Sequence, residues 1–551
     1  MPDDRAMSTL DTRTDQMFPT LDSMQIEVAR RFASAPARDF AAGELVYGIG
    51  DLAAPAWLVL AGSIDVTRRA GLRDEAIITV HMAGQFSGKV AQLSGRPTIA
   101  AGHAGKDGCT ALPFDAAHLR ALMVGSADLG EIVMRALILR RVGLIEEGGA
   151  GSILIGTPGS ADVVRLQGFM TRNGYPNLVL DAAADDEGRA LIERSGILPE
   201  ELPLMVCPNG AILKRPSDAE AAACLGMTPD LDSAKLYDVA IVGAGPAGLA
   251  ASVYAASEGL SVVVLDERAT GGQAGASARI ENYLGFPTGI SGRALAGRAL
   301  TQALKFGVEV AVPLAVERLD CGETHRAGDP HTLVLTNGGT VRARAVIVAS
   351  GARYRRPAID NLATFDGDGV SYWASPIEAK LCEGECIALV GGGNSAGQAV
   401  VFLAAKVKHL DLVVRRDLRE TMSRYLIDRI AALPNVTIHV GSEVVGLEGD
   451  RTTGLTAAIF KDRATRATRR CALRHLFLFI DADPNAGWLD GCVDTDAKGF
   501  IVTGGSALPL QTSLAGVFAI GDVRAGSTKR VAAAVGEGAA VVAQIHMMLA
   551  E

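Results

Sequence analysis

The stretch Tyr237-Asp238-Val239-Ala240-Ile241-Val242-Gly243-Ala244-Gly245-Pro246-Ala247-Gly248 decides how this chain reads. Tyr237 to Val242 is an apolar strand, the glycines make a tight turn, and Leu249 to Glu258 reads as a helix. Ser261 to Leu265 is the next strand, and it ends at Asp266, 23 residues after Gly243. Glycines at this spacing let backbone N–H groups approach a pyrophosphate, and the helix N-terminus adds its dipole. An acid at Asp266 is placed to accept the ribose hydroxyls of the same dinucleotide. Gly243, Gly245, Pro246, Ala247, Gly248 and Asp266 are the first candidate binding residues.

The pattern recurs downstream. Strand Ile387 to Val390 runs into Gly391-Gly392-Gly393-Asn394-Ser395-Ala396, with a helix from Ser395 to Ala405 and a strand from Leu410 to Val414. The position that held an acid in the first copy is Val414, followed by Arg415 and Arg416. An acid there would repel a 2′-phosphate, whereas an arginine pair binds it through charge-assisted hydrogen bonds. Gly391, Gly393, Asn394, Ser395, Arg415 and Arg416 form the second candidate group, with NADPH favoured over NADH. Two dinucleotide sites about 150 residues apart imply two cofactors.

Further motifs carry a resemblance. Gly271-Gly272-Gln273, Ile280-Glu281-Asn282-Tyr283-Leu284-Gly285-Phe286, Gln302 to Gly307, Val348 to Ala352, Phe479 to Pro484 and Gly516 to Asp522 follow in order. From about Leu236 to the C-terminus the chain resembles the low-molecular-weight thioredoxin reductases. The resemblance implies FAD, NADPH, an NADPH domain inserted into the FAD domain, and a homodimer. It assigns flavin contacts to Gly271, Gly272, Gln273, Asn282, Gly521 and Asp522. It also places Arg530 and Val531 at the start of a helix beside the isoalloxazine, where the family usually has Arg-Gln.

One departure bears on the electron acceptor. The family's redox Cys-x-x-Cys falls between Trp373 and Ile377, and no cysteine stands there in either register. Without a thiolate pair, electrons have no internal disulfide to enter. Cys382 and Cys386 are nearby but spaced Cys-x3-Cys, and Cys386 reads as buried core at the head of a strand. The function expected is an FAD-dependent NADPH oxidoreductase of thioredoxin-disulfide-reductase type serving an external acceptor: a protein disulfide, a small disulfide, a ferredoxin or a quinone. The alternatives are a ferredoxin- or quinone-type reductase and a nucleotide- or partner-gated flavoprotein sensor. No residue is singled out as a catalytic acid or base, and no metal site is expected.

Two further units precede the first fingerprint. Residues 152–228 show a βαβα–ββα order resembling the thioredoxin/glutaredoxin fold, with Leu202-Pro203 at its cis-proline position. Its active slot, Thr157 to Val163, has no cysteine, which reads as a spacer or docking domain. Residues 1–148 resemble a cyclic-nucleotide-binding β-roll followed by a long helix, Asp128 to Ile145. Ala56 to Val66 reads there as strand, turn, strand. Its phosphate cassette, Phe86 to Thr98, carries Lys89 and Thr98 where binders have Glu and Arg, and Arg96 is the one substitute for the phosphate ligand. A ligand-free interaction domain is the preferred reading, with a cyclic nucleotide as the alternative.

The fold class expected is thus multidomain: a β-roll plus helix, a thioredoxin-like α/β unit, and two Rossmann-like α/β domains for FAD and NADPH, the second inserted in the first. The boundaries read are 1–148, 152–228, 236–355, 356–475 and 476–551. Composition agrees. The formal charge of −9, without a basic run, argues against nucleic acid as a partner. The eight cysteines are isolated, imply no disulfide scaffold, and leave Cys207 as a core residue. No apolar window reads as a membrane span and no signal peptide is seen, so a cytoplasmic protein is expected.

Overall fold

The computed structural model describes residues 13–70, 74–88, 90–93, 96–146, 152–321, 329–359, 361–367, 369–450 and 452–550. At its centre is a seven-stranded sheet. Glu309–Ala311, Val262–Leu265, Leu236–Val242, Thr340–Val348 and Val517–Ala519 run parallel, in that order. An antiparallel hairpin, Val316–Asp320 and His331–Leu335, extends it past Thr340–Val348. Val239, Ala240 and Ile241 are fully buried, as are Ala345, Val346, Ile347 and Val348 on the neighbouring strand. Such unbroken apolar runs befit parallel strands covered on both faces.

From this sheet the chain crosses a two-stranded ribbon, Ala352–Tyr354 paired with Ala482–Pro484. Beyond the ribbon it builds a second parallel sheet of five strands, ordered Val370–Ser371, His475–Leu478, Cys386–Val390, His409–Val414 and Val436–Val440. The return strand of the ribbon leads back to Val517–Ala519 in the first sheet, so the second Rossmann-like unit is inserted in the first. The C-terminal helix Val531–Ala550 then packs on Pro246–Ser257, so closely that a Cβ at Gly538 would lie 2.7 Å from the Ala247 carbonyl oxygen. By length and composition this helix could cross a membrane, an exception to the sequence expectation. Its buried residues, Ala534, Gly538, Val541, Val542 and Ile545, lie on one face, and most of the helix is open or half-buried.

The N-terminal residues form a six-stranded antiparallel sheet around Ala56–Ala70 and Ala101–Phe114. Ala56–Ala70 is one continuous strand rather than two, because Gly62 takes φ +72° and absorbs the expected turn as a bulge. Helices Ala116–Gly125 and Ala127–Glu146 follow, and Leu119, Leu122, Leu129 and Val133 share one apolar cluster with Leu300, Leu304 and Val308. This unit is therefore fused to the central fold by a common core.

Between them sits a four-stranded sheet, ordered Ile212–Lys214, Leu204–Val206, Ser152–Gly156 and Asn177–Asp181. Its helices are Ala161–Arg172, Asp186–Arg194 and Asp218–Cys224, and the Leu202–Pro203 peptide is cis. Two disulfides correct the reading of isolated cysteines: Cys207–Cys224 and Cys321–Cys492. Their partners are 17 and 171 residues apart and meet only through tertiary structure. Cys382 and Cys386 are free; Cys382 is the fully buried one, and Cys386 is half-buried at its strand's start.

Candidate functional site

The first glycine turn is built by steric necessity. Gly243 has φ +114°, and a Cβ there would lie 2.2 Å from the Ala349 carbonyl oxygen. Gly271-Gly272 folds onto this turn: Gly271 N–H donates to the Ala244 carbonyl at 2.7 Å, and a Cβ at Gly272 would come within 3.0 Å of Gly245 Cα. Pro246 and Ala247 open the helix that follows, and Gly248 is buried in its first turn.

Asp266 ties the same turn to the end of its strand. Its carboxylate accepts from the N–H of Ala244 at 2.8 Å, Arg268 at 2.9 Å and Ala269 at 3.1 Å. A carboxylate has about four acceptor positions, so roughly one is left for a ribose hydroxyl. Burial raises the Asp266 pKa, and the three backbone donors oppose that rise.

Gly521 and Asp522 meet this site from the C-terminal side. Gly521, at φ +72°, packs against Ala247, and its N–H donates to Glu537 at 2.6 Å. Glu537 also pairs with Arg524 at 2.5 Å. Sequence reading missed Glu537; its only signal is a lone acid on an apolar helix. Asp522 has its pKa raised by burial, against the pull of Lys529. Arg530 is exposed and Val531 half-buried at the start of the last helix. Gln273 donates to the Ala352 carbonyl. Asn282 lies exposed on a loop, and no hydrogen bond is described between it and the glycine turns.

The second turn repeats the logic. Gly391 has φ +151°, and a Cβ would meet the Phe479 carbonyl oxygen at 2.6 Å. Gly393 faces open space. Asn394 is tied to Ser423 by two hydrogen bonds, of 2.9 and 2.7 Å. Arg415 and Arg416 are exposed, with loose pairing to Asp481 at 3.4 Å and Glu420 at 3.7 Å. Tyr354, on the ribbon between the two Rossmann-like units, is half-buried with its ring edge-on to Phe479 at 5.2 Å, and burial raises its phenol's pKa.

The cysteine-free slot holds a different cluster. Trp373 Nε1–H donates to Glu378 at 2.8 Å, and Ser375 N–H donates to the same carboxylate at 2.9 Å. Burial pushes the Cys382 thiol up to about 11, which leaves it protonated and unreactive at neutral pH. Gly159 of the other empty slot lies near the end of helix Pro376–Leu381: a Cβ there would be 3.6 Å from Leu381.

In the N-terminal unit, Arg96 donates from Nη2 to the Val310 carbonyl at 3.1 Å. This bond ties the cassette to strand Glu309–Ala311 of the first sheet. Thr98 donates to the Gly48 carbonyl, while Lys89 and Gly95 lie outside the described residues. No cluster of three metal-ligating side chains occurs among the described residues.

The comparisons agree with this geometry. Residues 237–538 match the family model described as pyridine nucleotide-disulphide oxidoreductase. The chain is 33% identical over 303 residues to a thioredoxin reductase of Treponema pallidum, covering 55% of this chain and 94% of that one. It is 34% identical over 315 residues to the F subunit of alkyl hydroperoxide reductase of Pseudomonas putida, covering 56% of this chain and 57% of the relative. The match thus spans little more than half the length of that relative. A crystal structure of T. acidophilum thioredoxin reductase superimposes with a TM-score of 0.53 at 27% identity, covering 57% of this chain and 99% of that one. With a family match over more than half its length and both dinucleotide turns in place, the chain belongs to the pyridine nucleotide-disulphide oxidoreductase family.

Proposed function

We propose that the chain is an FAD-dependent NADPH oxidoreductase that serves an external acceptor. The observation that carries this reading is the pair of glycine turns, Gly243 closed on the Ala349 carbonyl and Gly391 on the Phe479 carbonyl, each at the start of a helix. FAD supplies the hydride-accepting and electron-donating chemistry when bound. Gly243, Gly245, Gly248, Gly271 and Gly272 would hold its pyrophosphate, Asp266 would offer an acceptor to its ribose, and Gly521-Asp522 would contact its flavin half. Gly391, Gly393, Asn394 and Ser395 receive NADPH, and the exposed Arg415 and Arg416 receive its 2′-phosphate.

The relatives' names favour disulfide and peroxide systems over ferredoxin or quinone as the acceptor. The Trp373–Glu378 cluster in the slot supports electron exit without an internal dithiol. The N-terminal sheet serves as a ligand-free β-roll of cyclic-nucleotide-binding type, a reading supported by the use of Arg96 at Val310. The four-stranded unit is thioredoxin-like, and the assembly is a cytoplasmic homodimer.

The test is anaerobic addition of NADPH to the purified yellow protein, followed by a screen of disulfide acceptors. Bleaching of the flavin absorbance and its return on adding a disulfide are expected. A folded protein that binds no flavin, or whose flavin NADPH leaves oxidised, overturns the reading.

A further inference from the structure

Helix Ala161–Arg172 of the four-stranded unit ends against the loop that follows Asp266. Arg172 donates from Nη2 to the Gly272 carbonyl at 3.4 Å. Its neighbour Asn173 is buried and donates from Nδ2 to the Arg268 carbonyl at 3.0 Å. The Asn173 carbonyl in turn accepts from Arg141 Nη2 at 3.0 Å. A chain of hydrogen bonds therefore runs from helix Ala127–Glu146, through Asn173, to the dinucleotide loop.

Gly272 packs directly on the first glycine turn, where a Cβ would come within 3.0 Å of Gly245 Cα. Arg172 reaches Gly272 from outside the Rossmann-like units. A guanidinium has five N–H donors, and among the described residues only one bond from Arg172 is seen. Asp266 and Glu378 attract its charge and Arg268 repels it, but neither carboxylate is an ion-pair partner in contact among the described residues. A half-buried guanidinium with unspent donors beside an anion-binding turn suits a phosphate.

We propose that Arg172 is a ligand of the pyrophosphate of the bound FAD, and that the four-stranded unit is a clamp on this cofactor rather than a redox carrier. The proposal rests on the FAD reading above. It assigns a binding task to a unit whose redox slot has no cysteine.

The test uses full-length protein stripped of flavin and titrated with FAD, ADP and riboflavin. Arg172→Gln should weaken FAD and ADP by roughly 10–100-fold and leave riboflavin unchanged. If the wild type binds no FAD, the FAD reading itself fails. If the wild type binds FAD and Arg172→Gln binds FAD and ADP equally well, the clamp is overturned. Equal weakening of riboflavin also overturns it, since a loss that ignores phosphate is a packing defect. Hydrogen exchange on the wild type gives a measurement independent of any variant. FAD and ADP, but not riboflavin, should slow exchange around Arg172 to Gly174, and equal exchange in all three states overturns the proposal.

Discussion

The carboxylate of Asp266 accepts a hydrogen bond from the backbone N–H of Ala244 at 2.8 Å, inside the glycine turn itself. The acid thus shapes the loop as well as offering an acceptor to a ribose. Asp266→Asn replaces an acceptor with an amide that presents donors to neighbouring N–H groups. The expected loss is about 1–3 kcal/mol of stability, with weaker FAD binding. Denaturant unfolding and FAD titration check it; an unchanged midpoint would show that the loop holds its shape without the acid.

Tyr354→Phe removes a hydroxyl on the ribbon between the two Rossmann-like units and keeps the ring against Phe479. One neutral hydrogen bond is worth about 0.5–1.5 kcal/mol, so flavin reduction by NADPH should slow by roughly 2–10-fold. Burial raises the phenol's pKa, Ser395 opposes this, and Asp522 adds to the rise. The folded state therefore holds this proton more tightly than the unfolded chain. The stabilisation is complete below the ordinary tyrosine value near 10 and is lost as pH rises through the higher folded value. Stopped-flow rates in both proteins should keep the same ratio between about pH 6 and about pH 9.

The double variant Arg415→Ala, Arg416→Ala should raise the KM for NADPH by roughly 10–100-fold and leave NADH use nearly unchanged. Their carboxylate neighbours are exposed and loosely placed, so little stability should be lost. A wild type that prefers NADH would refute the assignment.

Glu537→Gln should destabilise the Gly521-Asp522 turn, because it weakens the bonds to Gly521 N–H and Arg524 together. Charge-assisted bonds of this kind are worth about 1.5–3 kcal/mol. Flavin should be released at a lower temperature, which its fluorescence reports directly.

Cys382→Ser, Cys386→Ser should leave the electron count of the flavin centre unchanged, at one two-electron step per FAD in both proteins. The buried, protonated Cys382 thiol and its unpaired neighbour motivate this. A second two-electron step lost in the variant would make the pair a redox centre.

The two dinucleotide turns were legible because their constraints are local. Gly243 and Gly391 stand where a side chain would strike a backbone carbonyl, so residue type and strand–turn–helix context carry the signal together. What joins distant segments was not legible. Glu537 meets Gly521, Arg172 meets Gly272 and Cys321 meets Cys492 through packing, which leaves no periodic trace in sequence. The reach of Arg96 to Val310 in the neighbouring unit is of the same kind.

The insertion has a consequence for the order in which the molecule assembles. Pro246–Ser257 is covered by Val531–Ala550, and Thr340–Val348 waits for Val517–Ala519, so the first sheet closes only when the last segment exists. Synthesis of the roughly 270 intervening residues takes on the order of 15–60 s. During that interval the inserted unit, whose strands are contiguous in sequence, can fold by itself, while the apolar face of Pro246–Ser257 remains uncovered. Loss of the C-terminal helix should therefore yield aggregation during biogenesis rather than a soluble protein of reduced activity, as comparison of soluble yields on truncation at Val531 would show.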